Sequence, residues 1–283
     1  MESDVSKHQI SMHPSLLAGA QAMVVDSNRH YPRHSHDQYG IGLIHRGAQR
    51  SASGFGRVEA GPGELIMVNP GEVHDGVPLA EEGRQWSMLY FEPSLLHELA
   101  SELELPFSAE ISLVRPVAQD QQLRQHFVRL FRRVTCVRQG QQTQVDEAAR
   151  LAAEECAVTT LVYLLSHHSQ ARPLMPVSAT VERVRQRLAD EPLQAPSLQE
   201  LAAMVGVSRF NLIRSFNKAL GLSPHAYLLQ QRLHLARRLL LQGHKPVDAA
   251  LQAGFADQSH MTRLFRRQYG ITPGLYGQIG SQH

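Results

Sequence analysis

The sequence predicts a two-domain α+β protein: an N-terminal small β-barrel followed by two long helices, then a C-terminal all-α domain with two helix-turn-helix units. Three observations carry this. A length of 283 residues with 42% hydrophobic content suits about two domains, each large enough to bury its own core. The texture changes along the chain, from short apolar alternation punctuated by glycine to helical periodicity. The last 85 or so residues contain a repeat.

From about Gly19 to Glu92, QYGIGLIHRG, GFGRVEAG, GELIMVNPGEVH and RQWSMLYFEP read as short strands. Turns fall at Gly47, Gly54, Gly61 to Gly63 and Pro70-Gly71. Many short antiparallel strands with glycine turns predict a barrel or jelly roll. From about Pro93 the pattern becomes helical. DQQLRQHFVRLFRRVTCVRQG and VDEAARLAAEECAVTTLVYLLSHH both place apolar residues at i, i+3, i+4 and i+7. Two such helices suit a dimerisation pair; the plainer reading is that they only pack on the barrel. SQARPLMPVS, residues 169–178, is polar with two prolines and no apolar period, and is read as a linker. The boundaries are therefore 1–168, a linker at 169–178, and 179–283.

The repeat lies beyond that linker. Arg214, Phe216, Gly221, Pro224 and Tyr227 recur 49 positions later as Arg263, Phe265, Gly270, Pro273 and Tyr276. Gly206 recurs as Gly254 at an offset of 48. Self-similarity of this kind means one supersecondary unit built twice. In the first copy Ala202 and Val205 sit on one helix, Gly206 turns, and Ser208 stands where an N-cap is wanted. Leu212 and Phe216 then mark a buried face, leaving Arg209, Asn211, Arg214 and Lys218 outside. In the second copy Ala250 and Ala253 permit close packing, Gly254 turns and Asp257 caps. Met261, Leu264 and Phe265 face in; Gln258, Ser259, Thr262, Arg263, Arg266 and Arg267 face out. A basic, amide-rich helix after a tight turn suits the major groove of DNA, where Arg pairs with guanine and Gln or Asn with adenine. The bland alternative is two amphipathic helix pairs with solvated faces; a matched tandem pair argues against it.

Charge divides the chain in the same place. From Pro176 onward there are 13 Lys and Arg against 6 Asp and Glu, a net of +7, while the remainder carries 15 against 20, a net of −5. A basic domain favours a polyanionic partner. No run of about 18 apolar residues exists to span a bilayer, and MESDVSKHQ lacks the layout of a secretion signal. Cys136 and Cys156 are isolated, which fits a reducing cytoplasm.

On these motifs the C-terminal segment, from about residue 178 to 276, resembles the DNA-binding domain of the AraC/XylS family of transcription regulators. The family pattern GFxDxSxFxRxFKxxxGxTPxxYR reads here GFADQSHMTRLFRRQYGITPGLYG, with Met261 for the usual Phe and Gly277 for the usual Arg. The resemblance implies seven helices, with a linker helix near Tyr227 to Gln242 between the two reading units. Carried over by position, the base-facing residues are Arg209, Phe210, Ile213 and Arg214, then Gln258, Ser259, Thr262 and Arg263. Phe210 and Ile213 cannot hydrogen-bond bases, so the first helix reads thymine methyls or relies on its arginines.

PRHSHDQYGIGLIHRG followed by GPGELIMVNPGEVH is similar to the cupin-type ligand-sensing domain that precedes many AraC-family DNA-binding domains. That resemblance implies a small-molecule effector bound in the barrel. The expected pocket residues are Arg33, His34, His36, Tyr39, Glu72, His74, Trp86 and Tyr90. His34 and His36 share a strand face and His74 could converge on them. Metal cupins add a Glu shortly after HxH, whereas here DQYGIG follows and no Glu comes before Glu59. The expectation is therefore no metal, no cofactor and no enzymatic activity. The expected function is an effector-controlled, DNA-binding regulator, by family habit an activator, acting as a homodimer in the cytoplasm, with RNA polymerase as a further partner. The alternative is a metal-dependent cupin enzyme with a helical accessory domain.

Overall fold

The computed structural model describes residues 8–102, 111–135, 147–171, 179–194 and 196–280. The chain divides into two compact units, one rich in strands and one helical. Cys136 lies outside the described residues, as does 172–178 of the expected linker.

The strands are β1 (His8–His13), β2 (Ala20–Ser27), β3 (Tyr31–His34), β4 (Tyr39–Arg46), β5 (Gln49–Ser53), β6 (Gly56–Ala60), β7 (Leu65–Val68), β8 (His74–Pro78) and β9 (Arg84–Phe91). Then come α1 (Pro93–Glu102), β10 (Ile111–Leu113), β11 (Val117–Ala118), α2 (Gln121–Val134), α3 (Glu147–His168) and β12 (Ser169–Ala171). Six of the strands form an antiparallel sheet in the order β1-β2-β9-β4-β7-β11. β9 thus lies between β2 and β4, with Leu89 opposite both Ala22 and Ile41. β5 pairs with β6 and with β8 in a second sheet. The expected linker begins as structure: Ser169–Ala171 pair with Ile111–Leu113.

Strand alternation sorts the large sheet into two faces. One carries Tyr39, Ile41, Leu43, Leu65, Met67, Leu89 and Phe91, which pack with Leu96 of α1, Phe127 and Leu130 of α2, and Leu161 and Leu164 of α3. On α2 the buried residues Leu123, Phe127, Leu130 and Val134 form one stripe at helical spacing. Asp120 caps α2 by accepting from Leu123 N, and its other oxygen lies 2.8 Å from Nε2 of the buried His168 that ends α3. The two long helices therefore do pack on the sheet, while α3 still exposes Leu151 at 57% and Val158 at 48%.

The helical unit holds seven helices among the described residues: α4 (Ala179–Asp190), α5 (Leu198–Met204), α6 (Arg209–Leu220), α7 (Pro224–Leu241), α8 (Pro246–Gln252), α9 (Gln258–Tyr269) and α10 (Pro273–Gly280). α4 and α6 pack on α7, and so do α8, α9 and α10. At 18 residues α7 is about 27 Å long. It starts three residues before the expected Tyr227, because Ser223 caps it by accepting from Ala226 N and Pro224 stands in the first turn.

Candidate functional site

The two helix-turn-helix copies are built alike. Ser208 accepts from Asn211 N at the start of α6, and Asp257 from His260 N at the start of α9. The turns before them use glycine at positive φ, +68° at Gly206 and +77° at Gly254, which a side chain would strain. The turn bonds match: Val207 N donates to Ala202 O at 3.1 Å and Phe255 N to Ala250 O at 3.0 Å. Each reading helix is twelve residues long and ends on a left-handed glycine, Gly221 or Gly270. Phe216 meets Tyr227 edge-on at 5.7 Å between ring centroids, and Phe265 meets Tyr276 at 5.3 Å.

With Leu212 and Phe216 buried, α6 turns Arg209, Phe210, Asn211, Arg214 and Lys218 to solvent, and Ile213 is half-buried. With Met261 and Phe265 buried, α9 exposes Gln258, Ser259, Arg263, Arg266 and Arg267, and Thr262 is half-buried. Phe210 is 72% exposed, which places an apolar ring on the face that α6 turns to solvent. Asn217 is also exposed on α6 and was missed by sequence reasoning. The signal was available, since Asn217 stands 49 residues before Arg266. Each surface offers guanidinium groups and neutral hydrogen-bonding side chains, the chemistry that grips phosphate and reads base edges.

The candidate effector residues separate. Trp86 and Tyr90 alternate with Leu89 and Phe91 on β9, so they lie on the sheet face turned away from the helices. Gly40 and Gly42 of β4 let the side chains of Val68, Met88 and Tyr90 pack close against that face. A Cβ at Gly40 would stand 2.6 Å from Val68 Cγ2 and 3.1 Å from Tyr90 Cε1, and one at Gly42 would collide with the sulfur of Met88. The His36 ring lies 5.0 Å from Tyr90 and 5.3 Å from His74 between centroids. Nδ1 of His74 lies 3.0 Å from Glu72 O, and that of His34 lies 2.7 Å from Pro32 O. Burial pushes the His74 imidazole below its usual value, which favours the neutral ring. Protonated at Nδ1, such rings present Nε2 as a lone-pair donor. His36 and His74 stand together in the strand-rich unit, whereas His34 lies in the segment Tyr31–Ser35 that clusters with the helical unit.

Three expected pocket residues stand elsewhere. Tyr39 is on the helix-packed face and donates its hydroxyl to Ile111 O at 2.6 Å, because both faces of β4 are buried and alternation alone did not fix its phase. Arg33 is exposed. The Glu72 carboxylate is engaged in its own turn, accepting from Asn69 N and Nδ2. Sequence reading also missed Arg84, which is fully buried over Trp86 at 4.7 Å. Its guanidinium donates to Gln49 Oε1, Arg29 O and Gly76 O, joining β9 to the second sheet. In α3, burial raises the Cys156 thiol above its ordinary value, which makes it a poor nucleophile.

Comparison with known proteins agrees with this division. A family model described as an AraC-like ligand binding domain matches residues 25–155, and one described as a helix-turn-helix domain matches 201–278. The uncharacterized HTH-type transcriptional regulator YbfI of Bacillus subtilis is 30% identical over 238 residues, covering 82% of this chain and 81% of that protein. The HTH-type transcriptional activator RhaS of Klebsiella pneumoniae is 25% identical over 255 residues, 86% of each chain. Among solved structures, a single-residue variant of apo ToxT from Vibrio cholerae matches with a TM-score of 0.56 at 14% identity, covering 93% of this chain and 98% of that one, a likeness of fold.

Proposed function

Because the chain belongs to the AraC family of helix-turn-helix transcription regulators, we propose that α6 and α9 read two segments of one DNA site under the control of a small molecule held by the strand-rich unit. The observation that carries the reading is the duplicated unit, with matched caps, turns and buried phenylalanines beneath two different exposed faces. The residues assigned to DNA are Arg209, Phe210, Asn211, Ile213, Arg214, Lys218, Gln258, Ser259, Thr262, Arg263, Arg266 and Arg267. A helix of about 27 Å between the two copies suits successive major grooves, whose spacing is about 34 Å.

The effector residues retained are His36, His74, Trp86 and Tyr90. Bound ligand acts by its different affinity for DNA-competent and DNA-incompetent states. The domain assignment is 1–168 for effector binding and dimerisation, 169–178 for the linker and 179–283 for DNA. Leu151 and Val158, exposed two turns apart on α3, support a homodimer. Activation through RNA polymerase in the cytoplasm completes the reading. No helix among the described residues is long and apolar enough to cross a membrane.

Footprinting full-length protein on DNA upstream of its own gene and its neighbours tests the proposal. Two protected major-groove segments one turn apart are expected; a salt-sensitive background without a footprint, at every effector tried, contradicts it. The neighbouring rings of His36 and His74 favour a second reading, in which the barrel holds a transition metal and works as a cupin enzyme. Metal analysis of the purified protein separates the two: stoichiometric metal supports the second, and its absence after metal-replete expression removes it.

A further inference from the structure

We infer that Arg232 is a positioning residue that fixes the orientation of the second helix-turn-helix unit against the first, and so sets the spacing of the DNA segments the protein accepts. The inference rests on the reading that α6 and α9 both contact DNA. α8, α9 and α10 pack on α7, but non-directional packing of this kind holds distance better than angle. A directional hydrogen bond to the turn itself narrows the angle further.

Arg232 supplies it from the middle of α7. Its Nε donates to Pro192 O at 2.9 Å, in the segment between α4 and α5, and its Nη1 donates to Gly254 O at 2.7 Å, in the turn between α8 and α9. One planar guanidinium thus holds a carbonyl from each copy's surroundings, with the fixed fork geometry that lysine lacks. The neighbouring Leu193, although 52% exposed, reaches the same turn. A Cβ at residue 254 would stand 3.1 Å from Leu193 Cδ2 and 3.2 Å from Arg232 Cζ. The φ of +77° favours glycine there, and the close approach leaves little room for a side chain.

The clamp is particular to the second copy. A Cβ at Gly206 would meet nothing within 4 Å. The residue 48 positions before Arg232, the offset that relates Gly206 to Gly254, is Val184, an apolar residue buried on α4. The contact is thus not inherited with the repeat.

The test uses full-length protein and a DNA site selected from a random pool by the unaltered protein. Affinity is then measured on a series of that site with one base pair removed from, or one or two added to, the stretch between the two segments. The unaltered protein is expected to lose about tenfold or more per base pair of shift, comparable to a mismatch. Arg232→Gln should compress that penalty to less than about threefold while keeping the order of base preferences within each segment. Arg232→Lys should fall between, and thermal melting should establish that each variant is folded. A folded Arg232→Gln protein with the full spacing penalty overturns the inference. So does a uniform loss of affinity at all spacings, which is what a merely structural arginine gives. If Arg232→Gln does not fold, Leu193→Ala leaves the arginine in place and should relax the penalty to a smaller degree; an unchanged profile then overturns the inference. Selection of a one-segment site would instead defeat the underlying reading of two DNA-contacting helices, a result separate from any of these.

Discussion

The first and second helix-turn-helix copies share a skeleton and differ in their faces. Ser208, Gly221, Phe216 and Tyr227 have structural counterparts in Asp257, Gly270, Phe265 and Tyr276, with like caps, like helix ends and like ring contacts. Each face carries three basic residues: Arg209, Arg214 and Lys218 on α6, and Arg263, Arg266 and Arg267 on α9. Around them the chemistry diverges. Where α6 offers Phe210 and Ile213, α9 offers Ser259 and Thr262. The difference separates two jobs that sequence similarity conflates: the shared residues hold the fold, and on the reading proposed above the divergent ones decide what each copy reads.

The largest expected effect tests the shared part. Phe216→Ala and Phe265→Ala each empty a fully buried ring position and should each cost about 3–5 kcal/mol of stability. Urea denaturation of the full chain checks this; a large effect at one site and a small one at the other would break the equivalence.

Next come the equivalent arginines. Arg263→Ala should cost about 1–3 kcal/mol of specific binding and relax sequence choice at one position. Arg214→Ala should do the same in the other segment. Equal loss on all sequences, in a competition assay with random DNA, would make either residue a phosphate contact. A third pair sharpens the contrast between faces. Arg266→Ala should reduce the slope of log affinity against log salt by about one unit. Asn217→Ala, at the matching site on α6, should leave the slope unchanged. A salt titration with both variants decides.

The smallest effect concerns a support present in the first copy. On α4, the hydrogen bond from Arg185 holds the Glu182 carboxyl below its usual value. A depressed carboxyl contributes stability that is fully present above its unfolded value and is lost as pH falls through the folded one. Both groups remain substantially exposed, so the contribution is under about 1 kcal/mol. Hydrogen exchange below about pH 4.5, the usual carboxyl value, should therefore loosen α4 ahead of α9, and simultaneous loosening would count against the pair.

How much was legible in the sequence follows from how local each signal is. Caps, glycine turns and buried phenylalanines act within a few residues, so both copies could be read down to Ser208 and Asp257. The strand-rich unit was legible as a class and less so as a site. Tyr39 was misplaced because YGIGLI is buried on both faces, which leaves alternation without a polar side to orient it. Arg84 was passed over because a charge beside a strand resembles an exposed end, and its acceptors come from chain positions as distant as residues 29, 49 and 76. Ser169–Ala171 read as linker because three small or polar residues carry no apolar pattern; their partner strand lies almost 60 residues earlier. Arg232 belongs with these: both of its acceptors are backbone carbonyls, which no side-chain pattern announces.

The left-handed glycines that close α6 and α9 have one more consequence, for redesign. Both helices stop after the same number of residues, and their caps hold them from the other end, so each exposed face works as a replaceable module. Writing Gln, Ser and Thr at positions 209, 210 and 213 would graft the second copy's lettering onto the first without touching a buried atom of Phe216 or Leu212. On the proposed base-facing assignment, a protein expected to read the same short word twice is then three codons away.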